Sequence, residues 1–264
     1  MIRLGATPEL ISQPLLFAIL RSQIEHPFQA VTQSPEQNCR ALLNRKLDLA
    51  LITAADYARH NQHLRLVKDF AVSSAGAARC ALLFFRESLH HFDSIACFAP
   101  DSQYRLLTDL VLNEFYEMET DWQALEPPPS LEQALNLYPA CLLEGDAAFD
   151  CFLKNERNLD ILEEWYDKTS LGYTHQLLAV HQDIEEYDFV DSLGLAREIG
   201  LRNLMSIAKA YAEGKENSWD FYFDLINERF QYFPNEETWD YLRQYFEYLF
   251  YYGVIDYIPE LHFC

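Results

Sequence analysis

Positively charged side chains are scarce in this sequence. Its 264 residues include 20 Lys and Arg against 41 Asp and Glu, a formal net charge of −21. Residues 131–264 hold 26 of the acidic side chains and nine of the basic ones, so most of the excess lies in the second half. Nucleic-acid phosphates and anionic membrane surfaces attract proteins through clusters of Lys and Arg. We therefore expect neither nucleic acid nor a membrane as a partner.

Glycine is also scarce, with eight residues. The sequence contains no Gly-x-Gly-x-x-Gly, no phosphate loop with Gly-Lys-Ser/Thr and no Gly-x-Ser-x-Gly. These motifs supply the backbone contacts to nucleotide phosphates and the nucleophile of many serine hydrolases. Their absence argues against NAD binding, ATP binding and serine-hydrolase chemistry.

Sequence features of export and metal binding are missing as well. The first residues lack the cationic start and apolar run of a secretory signal, and no apolar run has the length of a membrane span. The six cysteines include no Cys-x-x-Cys pair, which predicts reduced thiols in a cytoplasmic protein. The eight histidines show no metal-binding spacing, so we expect no metal site.

Short apolar runs alternate with helical stretches over the first 180 residues, the pattern of an α/β protein. The first strand is predicted at residues 2–5. A helix over residues 12–25 follows, with Ser12 as its N-cap and Pro14 in its first turn. An apolar strand is predicted at residues 47–53. A second series of strands and helices begins near residue 94 and includes a strand at residues 140–143, and a turn is predicted at residues 163–166.

This order predicts two lobes. The chain leaves a first α/β lobe, builds a second and returns, with crossover strands predicted at residues 77–85 and 173–180. Lobe I then comprises residues 1–86 and 175–264, including a helical C-terminal layer, and lobe II comprises residues 87–174. Such an architecture is expected to hold a small ligand in a cleft between the lobes.

The sequence after about residue 184 is predicted to be helical and is rich in aromatic residues. Two sets recur at helical spacing on different faces: Trp239, Leu242, Phe246 and Leu249 on one, and Tyr245, Tyr248 and Tyr252 on the other. We interpret these as a helical layer packed on lobe I, with tyrosine hydroxyls reaching solvent. A dedicated aromatic binding platform is the alternative, and the tyrosine face could in addition form a homodimer interface.

Three predicted helix starts offer donors for an anion: Ser12, Ser102 with Gln103, and Gly145 with Asp146. Unpaired N–H groups and the positive end of the helix dipole favour a carboxylate or phosphate at such a start. An ordinary N-cap is the alternative interpretation of each.

Two further segments are candidates for ligand contact. In the first, Ser74 and Gly76 precede Arg79 and Cys80; the glycine permits close backbone approach, and the guanidinium can pair with a carboxylate. A surface turn before a strand with a buried cysteine is the alternative. In the second, His175 and Gln176 lie in an otherwise apolar strand and need partners if they are buried. His175 is either a satisfied core residue or a cleft residue.

Three stretches carry a family resemblance: Asp48-Leu49-Ala50-Leu51-Ile52 followed by Asp56-Tyr57-Ala58-Arg59, then Leu142-Leu143-Glu144-Gly145-Asp146-Ala147-Ala148, then Leu162-Glu163-Glu164-Trp165 with Thr169 and Leu171. In order and separation they resemble the chorismate dehydratase family of the futalosine route to menaquinone. The similarity extends weakly through the helical tail and so covers most of the chain.

The resemblance implies a periplasmic-binding-protein-like (type II) fold with two crossover strands and a helical C-terminal segment. It also implies that the protein binds chorismate, a small dicarboxylate, and removes water to give 3-[(1-carboxyvinyl)oxy]benzoate without a metal or organic cofactor. No catalytic residue is assigned. The candidate substrate-binding residues are Ile11, Ser12, Ser74, Gly76, Cys80, Ser102, Gln103, Asp146 and His175.

Several of these positions depart from the family pattern. Ile11 replaces an asparagine expected to touch the substrate, and its side chain cannot form a hydrogen bond. Ser102 keeps the first serine of a Ser-Arg-Thr-Ser pattern, but Gln103 stands where the arginine is expected. Cys80 and Ala54 each replace a serine.

Two functions follow from these observations. The first is a divergent chorismate dehydratase whose backbone donors persist although its side chains have changed. The second is a non-catalytic homologue that holds a different small ligand in the same fold. Ile11 discriminates between them, because an apolar residue at that position fits an altered ligand better than an unchanged dehydration.

Overall fold

A computed structural model describes residues 1–87, 94–126, 130–154, 157–184 and 188–264. The strands within this part of the chain are β1 (Ile2–Ala6), β2 (Phe28–Thr32), β3 (Leu49–Ile52), β4 (Leu64–Ser74), β5 (Ala81–Phe85), β6 (Ser94–Cys97), β7 (Asp121–Ala124), β8 (Ala140–Glu144), β9 (Asn158–Asp160) and β10 (Tyr173–His181). The helices are α1 (Gln13–Leu20), α2 (Pro35–Leu43), α3 (Ala54–His60), α4 (Gln103–Tyr116), α5 (Leu131–Leu137), α6 (Gly145–Cys151), α7 (Ile161–Thr169), α8 (Val190–Arg202), α9 (Leu204–Ala212), α10 (Trp219–Asp224) and α11 (Glu236–Tyr251). None of them is long and apolar enough to cross a membrane.

The chain divides into two compact units. Unit 1 comprises Met1–Ser74 and Gly172–Cys264, and unit 2 comprises Ala75–Leu171. The sequence placed the first boundary later, between residues 86 and 87, and the second between residues 174 and 175. The first boundary moves because β5 pairs with β8 and β9, all of unit 2, on its two edges. β10 belongs wholly to unit 1, where it pairs with β3 and β4.

Unit 1 is built on a five-stranded sheet of order β2-β1-β3-β10-β4. β1 runs parallel to β2 and β3, and β10 is antiparallel to β3 and β4. All residues of β3 and β10 are buried, as expected for apolar strands covered on both faces. The buried Asn38 side chain of α2 donates to the carbonyls of Ala6 and Leu51, which fixes this helix across the ends of β1 and β3.

The first helix of unit 1 is shorter than predicted and begins differently. α1 starts at Gln13 after a 3₁₀ turn at Leu10–Ser12, and Ser12 makes no side-chain capping hydrogen bond. Gly200 of α8 lies against the Pro14 carbonyl of α1: a Cβ added at Gly200 would lie 2.0 Å from that oxygen. The glycine therefore allows the two helix backbones to approach closely.

The helical tail of unit 1 buries the predicted apolar stripe of α11. Trp239, Leu242, Phe246 and Leu249 are all buried. The prediction that the tyrosines reach solvent is wrong for Tyr245, whose buried ring lies edge-on to Tyr173 with centroids 5.1 Å apart. The stripe is wider than the sequence indicated because α11 packs against β10 around this ring.

Unit 2 has its own five-stranded sheet, of order β7-β6-β8-β5-β9. β6 is parallel to β7 and β8, and β5 is antiparallel to β8 and β9. Two of its elements differ from the sequence prediction: β9 was not predicted, and residues 163–166, predicted as a turn, lie inside α7. Asp160 begins α7 by accepting from the backbone N–H of Leu162.

Candidate functional site

A hydrogen-bonded network in unit 1 surrounds the turn after β1. The Ser12 hydroxyl accepts from Thr7 Oγ1 at 2.7 Å and donates to the Glu9 carbonyl oxygen at 2.8 Å. Both hydroxyl groups belong to side chains about 1% exposed. Ile11, in the same 3₁₀ turn, is 2% exposed. Ser12 therefore holds the turn together instead of capping α1.

Gln176 joins this network from β10, an inner strand of the sheet. Its Nε2 donates to the Glu9 carboxylate and, at 3.2 Å, to Thr7 Oγ1. Its buried Oε1 has no hydrogen-bond partner among the described residues, and an unpaired buried oxygen is costly. The sequence had indicated that a buried Gln176 needs partners, but it did not identify Thr7 and Glu9.

His175 and Ser74 form a second, separate contact in unit 1. His175 Nε2 lies 2.8 Å from Ser74 Oγ, and the imidazole packs edge-on to Tyr173 and Phe230. The ladder between β10 and β4 changes register between Thr174 and Gln176, a bulge centred on His175. Burial lowers the pKa of His175 to about 3, so the ring is neutral at physiological pH.

In unit 2, Ser102 and Glu144 connect the start of helix α4 to the end of strand β8. Ser102 is the N-cap of α4, where its Oγ accepts from the backbone N–H of Arg105 at 3.0 Å. The same hydroxyl donates to Glu144 Oε1 at 2.6 Å. Glu144 ends β8 and precedes Gly145, whose φ of +55° starts α6 in the left-handed region. The predicted N-cap is thus paired with a carboxylate of the same unit.

Three more candidate residues lie near this pair in the fold. The backbone N–H of Gly145 donates to the Cys80 carbonyl at 2.8 Å, which ties the segment before β5 to the start of α6. Asp146 lies in the first turn of α6, and Gln103, which is 6% exposed, is the first residue of α4. Cys80 itself is fully buried.

The remaining candidate segment of unit 2 is organised by Asp160. Gly76 and Arg79 both have positive φ, and Asp160 Oδ2 accepts from the Arg79 backbone N–H at 2.8 Å. The Arg79 guanidinium lies 4.1 Å from the centroid of the Phe152 ring. Burial raises the pKa of the Asp160 carboxyl from 3.8 to about 6, against the opposing effect of its backbone hydrogen bonds.

The structure therefore distributes the nine predicted residues between the two units. Ser12 and Ile11 share one turn, Ser74 contacts His175, and all four belong to unit 1. Gly76, Cys80, Ser102, Gln103 and Asp146 belong to unit 2. Sequence reasoning missed Thr7, Glu9, Glu144 and Asp160. Thr7, Glu144 and Asp160 end or directly follow a strand, and Glu9 lies in the turn after β1. Their position at strand ends was the signal that could have indicated them.

Among residues 1–87, 94–126, 130–154, 157–184 and 188–264, no group of three or more His, Cys, Asp or Glu side chains is placed to hold a metal ion.

A family model described as menaquinone biosynthesis matches residues 2–251. The chain belongs to this menaquinone biosynthesis family. The match extends over both units and confirms the family resemblance that the sequence motifs carried. A similar protein, the chorismate dehydratase of Thermus thermophilus, is 24% identical to this chain over 208 residues. The match covers 70% of this chain and 73% of that protein.

Solved structures establish the fold of this family member. A protein from Archaeoglobus fulgidus matches with a TM-score of 0.80 at 16% identity, covering 96% of this chain and 98% of the other. A Candida albicans protein described as having the generic periplasmic binding protein fold matches with a TM-score of 0.62 at 13% identity, covering 92% and 89%. The predicted α/β, periplasmic-binding-protein-like fold class is confirmed.

Proposed function

We propose that this member of the menaquinone biosynthesis family is a chorismate dehydratase-like lyase of the futalosine route. The reaction converts chorismate to 3-[(1-carboxyvinyl)oxy]benzoate and water. The observation that carries the proposal is the family match over residues 2–251, and the similarity to a chorismate dehydratase supports it. The interlobe location of the site, taken from the sequence resemblance, is part of the proposal.

The proposed chemistry needs no oxidant or reductant. A proton leaves the ring carbon that carries the enol ether, and the hydroxyl group on the neighbouring carbon departs with its bonding electrons. The new double bond makes the ring aromatic, and the proton and hydroxide appear together as water. The protein's part is then to hold two carboxylates and orient the hydroxyl group, for which fixed hydrogen-bond donors are suited.

Hydrogen-bond donors occur at two of the candidate positions from the sequence, one around Ser102 in unit 2 and one around Ser12 in unit 1. The first is the start of α4, a helix of 14 residues, where the Ser102 N-cap lies at the positive end of the helix dipole. In unit 1, the Gln176 amide and the Thr7 and Ser12 hydroxyls form a preorganised network after β1. We propose that substrate carboxylates are held by such groups, because the net charge of the chain would repel them.

A non-catalytic homologue that binds a different small ligand is the second candidate. The buried Ile11 favours it, since a side chain that is 2% exposed and apolar cannot replace the amide expected at this position. The hydroxyls of Ser12 and Ser102 are also engaged within the protein.

Incubating the purified chain with chorismate distinguishes the two functions. We expect chorismate to disappear and an equimolar amount of 3-[(1-carboxyvinyl)oxy]benzoate to appear. Chromatography measures both compounds. Chorismate that raises the melting temperature without being consumed would favour the binding protein. No turnover and no thermal shift would reject the proposed substrate. The Ile11→Asn variant is a useful companion, because turnover gained only in that variant would indicate an enzyme that has lost its activity.

A further inference from the structure

A polar cavity in unit 1 shares no residue with the networks around Ser12 and His175. It has a volume of about 390 Å³ and lies where the 3₁₀ turn at Asn61–His63, the residue after β10 and residues 261–263 meet. The described residues that line it include Asn61, Gln62, Arg65, Gln182, His262 and Phe263. None of the described lining residues is acidic, although the chain has 41 Asp and Glu residues.

Hydrogen bonds between distant parts of the sequence hold the walls of this cavity. The Tyr57 hydroxyl donates to the Glu260 carbonyl at 3.0 Å and accepts from the His262 backbone N–H at 2.8 Å. The Gln182 backbone N–H donates to the His63 carbonyl at 2.8 Å. The backbone around the cavity is therefore fixed before a ligand enters, which lowers the entropy cost of binding.

Four exposed polar side chains at the cavity make no hydrogen bond or ion pair with any described residue: Gln62, Arg65, Gln182 and His262. The carboxylates nearest to them in sequence do not neutralise this group. Asp183 pairs with Arg45, and Glu260 is not among the lining residues. The cavity thus presents one guanidinium, one imidazole and two amides without a carboxylate beside them in its described lining.

The chemistry of these groups fits a phosphate better than a carboxylate. The Arg65 guanidinium can donate to two oxygens of an anion, and the ring N–H of His262 can donate to another. A carboxylate offers two oxygens in one plane, whereas a phosphate offers three oxygens that point to different sides. The amides of Gln62 and Gln182 can both donate and accept, as hydroxyl groups on a ligand require.

We propose that this cavity is a ligand site separate from the candidate substrate-binding residues, and that it binds a small phosphomonoester carrying hydroxyl groups. Arg65 and His262 hold the phosphate, and Gln62 and Gln182 contact the hydroxyl groups. The proposal goes beyond the proposed reaction and does not rest on it. Residues 261–263 also lie outside residues 2–251, which match the family model, so the family match does not account for this site.

Calorimetry on the full chain tests the proposal, with inorganic phosphate and glycerol 3-phosphate as probes at constant ionic strength. We expect saturable binding of one equivalent, with a dissociation constant of about 1 mM for inorganic phosphate. Glycerol 3-phosphate should bind roughly threefold more tightly, because its hydroxyl groups reach the amides. Arg65→Gln should weaken binding of both probes about tenfold. Absence of saturable binding by the folded wild-type chain would overturn the proposal.

The matched control is Lys68→Gln. Lys68 is exposed in the same strand as Arg65 but does not line the cavity, so the variant removes the same charge from another place. We expect its dissociation constants to stay within about twofold of wild type, because exposed charges are screened. An equal loss of affinity in Lys68→Gln and Arg65→Gln would overturn the proposal, since net charge alone would explain it.

Gln182→Ala tests the part assigned to the amides. It should weaken binding of glycerol 3-phosphate roughly threefold and leave binding of inorganic phosphate unchanged. If the variant binds glycerol 3-phosphate as tightly as the wild type does, the contact with hydroxyl groups is wrong. Chorismate carries no phosphate group, so these measurements are distinguishable from a success or failure of the proposed reaction.

Discussion

Asp160 is a buried carboxylate whose ionisation is coupled to folding. It receives hydrogen bonds from the backbone N–H groups of Arg79 and Leu162, and burial raises its pKa from 3.8 to about 6. Because the folded state holds this proton more tightly than the unfolded state, the resulting stability is present at low pH and is lost as the pH rises through about 6. The full effect is about 3 kcal/mol by the usual conversion.

The Asp160→Asn variant tests this at the residue scale. Asparagine does not titrate, so the difference in unfolding free energy between wild type and variant should change with pH. Between pH 5 and pH 7.5, we expect the unfolding free energy of the wild type to fall by about 1.5 kcal/mol relative to that of the variant. Urea denaturation at several pH values measures it, and a difference that stays constant over this range would contradict the raised pKa.

Single residues show how far the sequence could define the candidate site. Ser102 fits the N-cap interpretation of its helix start, because the capping signal is local to its own helix. Its partner Glu144 was not predicted, because the contact depends on how β8 and α4 are placed in unit 2. Ser12 was predicted as a cap from the same local signal, but its hydroxyl bonds to Thr7 and Glu9 instead. Hydrogen bonds made by the tertiary fold override the local preference.

At the scale of elements, the packing of α1 on α8 depends on Gly200. We expect Gly200→Ala to destabilise the protein by about 3 kcal/mol, because the added methyl group would overlap the Pro14 carbonyl and separate the helices. Gly194→Ala in the same helix is the matched control: its added Cβ meets nothing within 4 Å, so better helix propensity should stabilise the protein by up to about 1 kcal/mol.

Denaturant unfolding of the two glycine variants measures both effects. If Gly200→Ala is as stable as the wild type, the prediction is wrong, because α1 and α8 can then move apart without loss of unfolding free energy. The prediction matters for the site because α1 directly follows the turn that carries Ile11 and Ser12.

Most elements were predictable from the sequence, and the two main exceptions, β9 and α7, have different causes. The alternating apolar runs identified β1, β3, β8 and β10, whose residues are mostly buried. β9 was missed because its three residues carry no periodic pattern and become a strand only by pairing with β5. α7 was predicted as a turn because acidic residues dominate its start, where they favour a helix N-terminus.

At the scale of the whole molecule, the net charge of −21 opposes any dicarboxylate ligand. Local donors must then outweigh a repulsive field that extends over roughly 10 Å at 0.1 M salt. We expect chorismate to bind more tightly when sodium chloride is raised from low to physiological concentration, by about twofold, because the repulsion is screened. Calorimetry at several salt concentrations measures this, and binding that weakens steadily with salt would show that direct charge attraction dominates.

The most direct test of the proposed function is a single-turnover experiment with the wild-type chain in excess over chorismate. The account predicts that chorismate disappears in one kinetic phase and that one equivalent of 3-[(1-carboxyvinyl)oxy]benzoate appears at the same rate. Chorismate that remains intact after prolonged incubation with folded protein would contradict the account.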